Sequence, residues 1–517
     1  MNKPVILWVD DEIDLLKPYI IFLQEKGYEI IPAYNGSDAL KIIENQQIDI
    51  LILDEHMPGI SGLTLLDGLK QIKPHLPVIM VTKSEEENIM DSAIGSNIVD
   101  YLIKPVNPKQ LLLSLKKIID KQRLITEKNV NKYLTEFNSL SQQIIYANSF
   151  EEWKDIYKKI IYYENQLEQT KDNIMIETLK SQHKEANIQF GKFIKNNYIK
   201  WFEDNSTKPL NSANLLQKVF FPLSAKVDRL VLILIDNLRY DHWLVISNHL
   251  FDIYNIETDL YMSILPTTTN YARNTLFSGL MPSEIEKIYP QIWSNDDDEG
   301  LKNLYEEELF TRQCQRLGVK ENYFFKKIIT NYEGKNFLNE LNNLIQKNKK
   351  GIIIYNFIDV LSHSQTESRT VKELADSDES YKAIVNSWFE HSPLFDIIKK
   401  LYEHDFYLFI TTDHGSIRIE NPVRIIGERN ITKNLRYKQG RNMNYPAKEV
   451  FEITNPTKVY LPKVNVSAAY IFALNNDYFV YHNNFNQYVK MYRNTYQHGG
   501  VSLDEMLIPY AFLSPKK

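Results

Sequence analysis

DRLVLILID, residues 228–236, carries six consecutive apolar residues of β type and then an aspartate. A run that long without polar alternation is covered on both faces, the signature of a strand inside a parallel sheet sandwiched by helices. GIIIYNFID (351–359) and FYLFITTDHG (406–415) read the same way. Helical patterns around 239–250, 301–317, 335–348 and 377–404 fall between or beside these runs. Strand–helix alternation over roughly 300 residues predicts one large α/β/α domain, 206–517, whose chemistry collects at the C-terminal ends of the strands.

Moving outward to the N-terminus, the alternation recurs on a smaller scale. VILWVD (5–10), IDILILD (48–54), PVIMVT (77–82) and DYLIKP (100–105) are short β-rich runs with amphipathic stretches between them, a second α/β domain over 1–120. From 121 to 205 the period changes to that of helices. Leu134, Phe137, Leu140 and Ile144 share one stripe, and Ile176, Leu179, His183, Ala186, Phe190 and Phe193 another. SFEE (149–152) reads as a capping box opening a further helix. This middle segment is expected to be a helical bundle connector, a spacer or a dimerisation element. Three domains suit 517 residues.

Composition narrows the class. A hydrophobic share of 43% and a charged share of 24% exclude wholesale disorder, and 17 glycines exclude collagen-like or Gly-rich architectures. The LVLILI run is far too short to cross a bilayer, so no membrane span is expected. MNKPVILWVDDE has acids where a signal peptide needs a long apolar stretch, and a single cysteine, Cys314, allows no internal disulfide and no thiolate-built metal site. A cytoplasmic location is the expectation. The net charge of −6 is uneven, because residues 1–120 hold 18 Asp+Glu against 11 Lys+Arg and the remainder is near neutral. No domain is basic enough to bind nucleic acid by bulk charge, and no helix-turn-helix signature for direct DNA binding is visible.

In the N-terminal domain Asp10 and Asp11 follow one strand, while Asp54, Thr82 and Lys104 end three others. Parallel strands bring these ends to one pocket. Three carboxylates together repel and call for a hard divalent cation such as Mg²⁺. A carboxylate beside that ion can attack a phosphoryl group, with a lysine and a hydroxyl to hold the oxygens. VDDE, LDEHMPGISG, VTK and IKPV closely resemble the CheY-like receiver domain of two-component response regulators, a five-stranded parallel fold. The resemblance implies Asp54 as phospho-acceptor, and Asp10, Asp11, Asp54 and the His56 carbonyl as Mg²⁺ ligands. It further implies Thr82 and Tyr101 as switch residues, Lys104 as the phosphate partner, a cis bond before Pro105, and a sensor histidine kinase as donor. The acidic SEEE (84–87) departs from the family pattern.

The large domain has its own constellation. Asp236 ends LVLILID, Thr269 lies in LPTTTNYAR, Asp359 and His363 form DVLSH, Asp413 and His414 stand in TTDHG, and His498 opens QHGGVSLDEM. Three aspartates, three histidines and a hydroxyl suffice for two Zn²⁺-like ions. One would take Asp359, His363 and His498, and the other Asp236, Thr269, Asp413 and His414. Such a pair clamps an in-line phosphoryl transfer. These motifs resemble the alkaline phosphatase superfamily, and QHGGVSLDEMLIP with TTDHG resembles its PglZ-type branch. The resemblance implies a phosphoesterase with Thr269 as nucleophile, Thr268 and Thr267 remaining as alternatives. Asn270 and Arg273 are candidates to donate to a phosphoryl oxygen, and Arg273 reads equally well as a helix-surface charge.

The stretch 418–441 carries seven basic residues, among them Arg429, Arg436, Lys438 and Arg441, with Tyr437 between them. It follows the Asp413–His414 pair, so it reads either as a solvated loop or as a cationic wall over the metals. The second reading favours an extended phosphodiester, a nucleotide or oligonucleotide, over a small monoester. Receiver, helical connector and PglZ-like domain in this order resemble the PorX-type response regulators of type IX secretion. That likeness implies control of secretion and gliding, contact with a sigma factor or secretion component, and a phosphorylation-dependent homodimer. The alternative is a catalytically silent, metal-stabilised scaffold.

Overall fold

The computed structural model describes residues 3–73, 76–83, 98–168, 170, 172–204, 208–293, 304–427, 432–463 and 468–516. The acidic SEEE stretch and Arg429 lie outside the described residues. The chain divides into two units, Met1–Lys132 and Tyr133–Lys517.

In the first unit β1 (Val5–Val9), β2 (Glu29–Ala33), β3 (Ile50–Asp54), β4 (Val78–Thr82) and β5 (Asp100–Ile103) form one parallel sheet in the order β2-β1-β3-β4-β5. Both faces are covered. Ile6, Trp8, Ile50, Ile52, Ile79 and Val81 pack on one side, and Leu7, Val9, Leu51, Leu53, Val78 and Met80 on the other. This is the doubly wound arrangement with its reaction crevice at the strand C-termini, and it is a CheY-like receiver.

In the second unit β6 (Leu230–Ile235), the run that predicted the fold, is central and wholly buried. It pairs in parallel with β9 (Lys350–Tyr355) and with β10 (Tyr407–Thr411). The sheet grows outward to β8 (Tyr323–Ile328) on one side and to the antiparallel β11 (Leu507–Pro515) and β7 (Tyr254–Met262) on the other. The pattern expected at 377–404 is two helices, Asp378–Glu390 and Pro393–Glu403, broken where Ser392 caps the second.

The connector is helical. Helices Pro108–Tyr146, Phe150–Glu168 and Asn173–Asn197 are present, and Ser149 and Glu152 form the capping box by mutual backbone bonds of 3.3 and 3.0 Å. From Tyr133 onward these helices make their contacts within the same compact unit as the large domain. Lys154 and Lys158 both grip Asp259, at 2.8 and 2.7 Å. Tyr157 donates to Asp504 at 2.9 Å, and Asn187 accepts the Leu503 amide at 2.8 Å. The polar residues that interrupt the apolar stripes find their partners hundreds of residues away, which helical periodicity does not encode.

Candidate functional site

The receiver pocket forms where four strand ends meet. Lys104, just past β5, places Nζ 2.7 Å from Asp10 Oδ2 and 2.8 Å from Asp54 Oδ2. Carboxylate oxygens of Asp10, Asp11 and Asp54 all lie within 4.8 Å of one another. Asp10 and Asp54 are buried and Asp11 is exposed, so the cluster opens to solvent on one side. Burial raises the Asp54 carboxyl above its usual range although the Lys104 ammonium pulls the other way. Asp54 Oδ1 is buried with no hydrogen-bond partner, so an all-oxygen donor set with one orphaned oxygen fits Mg²⁺. Thr82 ends β4 fully buried, Tyr101 is half-buried on β5, and the Lys104–Pro105 peptide is cis. The His56 side chain is exposed, and its carbonyl stands two residues past Asp54.

The second pocket sits at the C-terminal edge of the larger sheet. Asp236 directly follows β6 and is buried. Asp359 does not end a strand, as the sequence suggested, because β9 stops at Tyr355 and Asp359 lies in the first turn of helix Phe357–Glu367. The helix explains the DVLSH spacing: four residues make one turn, so Asp359 and His363 share a face, with His363 Nε2 3.5 Å from Asp359 Oδ2. His498 Nε2 is 3.6 Å from Asp359 Oδ1 and 3.5 Å from His363 Nε2. The first expected ligand set is thus assembled.

The second set is assembled differently from expectation. Asp236, Asp359 and His414 bring ligand atoms within 4.8 Å of one another, so Asp359 belongs to both groups. Asp413 Oδ2 is 3.9 Å from His414 Nε2, yet it accepts from Arg273 Nε at 2.9 Å. Arg273 is fully buried. Besides Asp413 it pairs with Asp236, approaches Glu306 at 3.7 Å and donates to Asn356 at 3.4 Å. Arg273 is therefore not a helix-surface charge; it is a buried counter-charge between Asp236 and Asp413. Burial alone would raise the Asp413 carboxyl, but Arg273 and His414 hold it below the usual range. Asp236 stays well above, because burial outweighs Arg273.

Thr269 opens a short wide-turn helix, Thr269–Arg273, and its Oγ1 is 3.0 Å from His414 Nε2. Thr268 Oγ1 is buried without a partner. Thr267 uses its hydroxyl to donate to the Gly500 carbonyl and accept the Gly499 amide at 2.9 Å. His498 Nδ1 meets the Thr267 carbonyl at 3.2 Å, leaving Nε2 to face the cluster. Burial and the neighbouring His414 and His363 push His498 well below its usual pKa, which keeps the imidazole neutral and its lone pair free. Imidazole nitrogens, carboxylates and the buried, unpartnered Asp236 Oδ1 make a donor set that fits Zn²⁺. Asn270 is buried beside Thr269.

The proposed cationic wall is corrected. Arg436 is fully buried, bound to Glu505 at 2.6 and 3.2 Å, and that same carboxylate accepts the Gly500 amide at 2.8 Å. A Cβ at Gly500 would lie 2.6 Å from the Ala473 carbonyl and 2.9 Å from the guanidinium, so Arg436 builds the HGG loop from inside. Lys438 is equally buried, donates to the Thr432 carbonyl at 2.8 Å, and is depressed by burial to about 7. Arg441 is exposed. Reading by sequence missed Asn237, one residue after Asp236, and Glu505, seven after His498, whose only signal is that position, and Glu306, far from every ligand in sequence, for which there was no signal.

Three family models match the chain. A response regulator receiver domain covers residues 6–116, a PorX response regulator linker domain 123–202, and the BREX system PglZ alkaline phosphatase-like domain 215–511, more than half of the chain. The alkaline phosphatase synthesis transcriptional regulatory protein PhoP of Bacillus subtilis is 30% identical over 126 residues, 24% of this chain and 51% of that protein. The phosphate regulon transcriptional regulatory protein PhoB of Pseudomonas aeruginosa is 36% identical over 123 residues, 23% of this chain and 53% of that protein. The chain thus spans about half the length of these curated relatives. Among solved structures, a CheY-like receiver domain protein from Methanospirillum hungatei is 30% identical, covering 23% of this chain and 97% of that one with a TM-score of 0.23. No helix among the described residues is long and apolar enough to cross a membrane.

Proposed function

This chain belongs to the PglZ alkaline phosphatase-like family and, by its receiver and PorX-type linker, is a response regulator; on that premise we propose that its output is a two-metal phosphodiesterase controlled by phosphorylation of Asp54. The observation that carries the reading is the Thr269 hydroxyl, 3.0 Å from His414 Nε2, beside two ligand groups that share Asp359. Asp359, His363 and His498 would hold one Zn²⁺, and Asp236, Asp359 and His414 the other, with Asp413 behind them on Arg273. When bound, the ions lower the pKa of a hydroxyl and neutralise charge on phosphoryl oxygens. Thr269 would form an O–P bond as the P–O bond to the leaving group breaks, its hydroxyl proton ending on the departing alcohol, and water would cleave the phosphothreonine in a second displacement that returns a proton to the Thr269 oxygen. The Asn270 amide is the donor nearest the nucleophile in sequence.

In the receiver, a sensor histidine kinase supplies the phosphoryl group to Asp54, with Asp10, Asp11 and Mg²⁺ holding its charge and Lys104 pairing with it. Thr82 and Tyr101 transmit the change, and the phosphorylated chain dimerises. With Arg436 and Lys438 inside the fold the nucleotide or oligonucleotide substrate loses its cationic wall, so the proposed substrate is a phosphodiester without a further class; the pathway is type IX secretion and gliding, with a sigma factor or secretion component downstream. Thr269→Val is expected to abolish hydrolysis of a bis-aryl phosphate, by at least about 10³-fold, while zinc content measured by mass spectrometry stays unchanged. Undiminished turnover in that variant sinks the mechanism.

One observation favours a binding-only output: Arg273 already neutralises Asp236 and Asp413 without any ion. That reading expects no diester turnover from the wild type and full signalling from Thr269→Val.

A further inference from the structure

Asn237 follows the ligand Asp236 in the left-handed conformation, at φ 61°, and is completely buried. Its Nδ2 donates to Asp359 Oδ1 at 3.3 Å and to Ser362 Oγ at 3.1 Å. Ser362 Oγ in turn donates to the Asp359 backbone carbonyl at 2.8 Å. The amide can be oriented only one way round, because its oxygen facing the Asp359 carboxylate would set two acceptors against each other. Oδ1 therefore points elsewhere and is buried without a partner.

Asp359 is the one residue shared by both ligand groups, and its two oxygens face the two histidines of the first group. Oδ2 faces His363 at 3.5 Å, while Oδ1 faces His498 at 3.6 Å. A carboxylate on the first turn of a helix can rotate about its side-chain torsions. One that must serve two groups has to be stopped from rotating. We propose that Asn237 is the positioning residue that locks the Asp359 carboxylate, donating to Oδ1 so that each oxygen keeps its assigned neighbour. Its left-handed backbone is part of the device. It turns the chain by one residue after β6, so that Asp236 and the residue behind it reach the two sides of the same pocket. Asparagine tolerates that conformation better than other side chains bearing an N–H donor.

This rests on the two-metal reading, and the test separates the two. The full chain, with the receiver saturated in Mg²⁺, is titrated with Zn²⁺ against a chelator as wild type, as Asn237→Gly and as Ser362→Ala. Glycine keeps the left-handed backbone and removes only the amide. The wild type is expected to take up two zinc ions, and fewer than two sinks the two-metal reading whatever the variants do. Asn237→Gly should weaken the ion held by Asp359, His363 and His498 by about 10- to 100-fold and change the other ion less. Its kcat on a bis-aryl phosphate should fall by a similar factor, with KM nearly unchanged. Ser362→Ala, which loosens the amide without deleting it, should act in the same direction by a smaller factor. It also keeps the test alive if the glycine variant fails to fold. Wild-type affinity for both ions in a folded Asn237→Gly, or in Ser362→Ala where the glycine variant is unfolded, overturns the proposal.

Discussion

In the receiver, Lys104 reaches from one strand end to Asp10 and Asp54; in the C-terminal unit, Arg273 reaches from a helix to Asp236 and Asp413. Both pockets gather strand-end carboxylates that repel, and both carry one cationic side chain to offset them. They differ in depth and in the clamp. The Lys104 side chain is 14% exposed with Asp11 open beside it, whereas Arg273 is 0% exposed, ion-paired with Asp236 and Asp413 and hydrogen-bonded to Asn356. A lysine is a point charge on a flexible stem, able to move when a phosphoryl group arrives. A buried arginine held on several sides is a fixture. The pocket that must change state has the movable cation, and the pocket read as a reaction centre has the immobile one.

The deep clamp gives the largest expected effect. Arg273→Met leaves Asp236 and Asp413 buried together without a counter-charge, and breaking a buried pair by removing one partner costs about 3–5 kcal/mol. Urea unfolding in chelator should show that loss. Zinc should restore much of it, because the ion supplies the positive charge that the guanidinium withheld. A loss that zinc does not repair would make Arg273 a packing residue and end the parallel with Lys104.

The parallel also marks what was legible beforehand. Asp10, Asp54, Asp236, Asp413 and His498 are read from strand ends and short motifs, because a parallel sheet delivers strand ends to one place. The sharing of Asp359 is not legible, since it depends on where a helix starts relative to Tyr355. The burial of Arg436 and Lys438 is invisible for another reason. A run of basic residues looks solvated until Glu505, more than sixty positions later, is seen to fold back onto it. The same long-range pairing hides the docking of the connector through Asp259 and Asp504.

His183 offers a third clamp with a cation that titrates. It lies between Glu164, 2.7 Å from Nδ1, and Asp504, 3.6 Å from Nε2, tying helix Asn173–Asn197 to helices Phe150–Glu168 and Leu503–Met506. Burial alone would lower its pKa, but Glu164 and Asp504, with Asp378 beyond, raise it to about 9. A histidine raised above its unfolded value stabilises the fold fully below pH 6.5 and loses that contribution as pH rises through 9. The wild type should therefore lose on the order of 2 kcal/mol more than His183→Gln between pH 6 and pH 10. Equal slopes for the two proteins would mean that the pair is neutral throughout.

Lys104→Met carries the smallest stability effect and the sharpest test of the contrast. Lys104 is itself partly exposed and Asp11 is open beside it, so the pocket can take in water when the ammonium is removed and the penalty should be about 1 kcal/mol in chelator, well below that of Arg273→Met. Its pH dependence has a definite sign. Asp54 is already raised by burial, and removing the ammonium raises it further, so the folded state binds its proton more readily. Protonated Asp54 needs no counter-charge. The deficit of the variant should shrink as pH falls toward 4 and reach its full size near neutrality. Unfolding curves for wild type and variant at several pH values measure this directly, and Mg²⁺ should narrow the gap at neutral pH by replacing the missing charge. A deficit as large as that of Arg273→Met, and insensitive to both pH and Mg²⁺, would show that the lysine is held as rigidly as the arginine. The movable clamp would then have to be sought at Thr82 or Tyr101 instead.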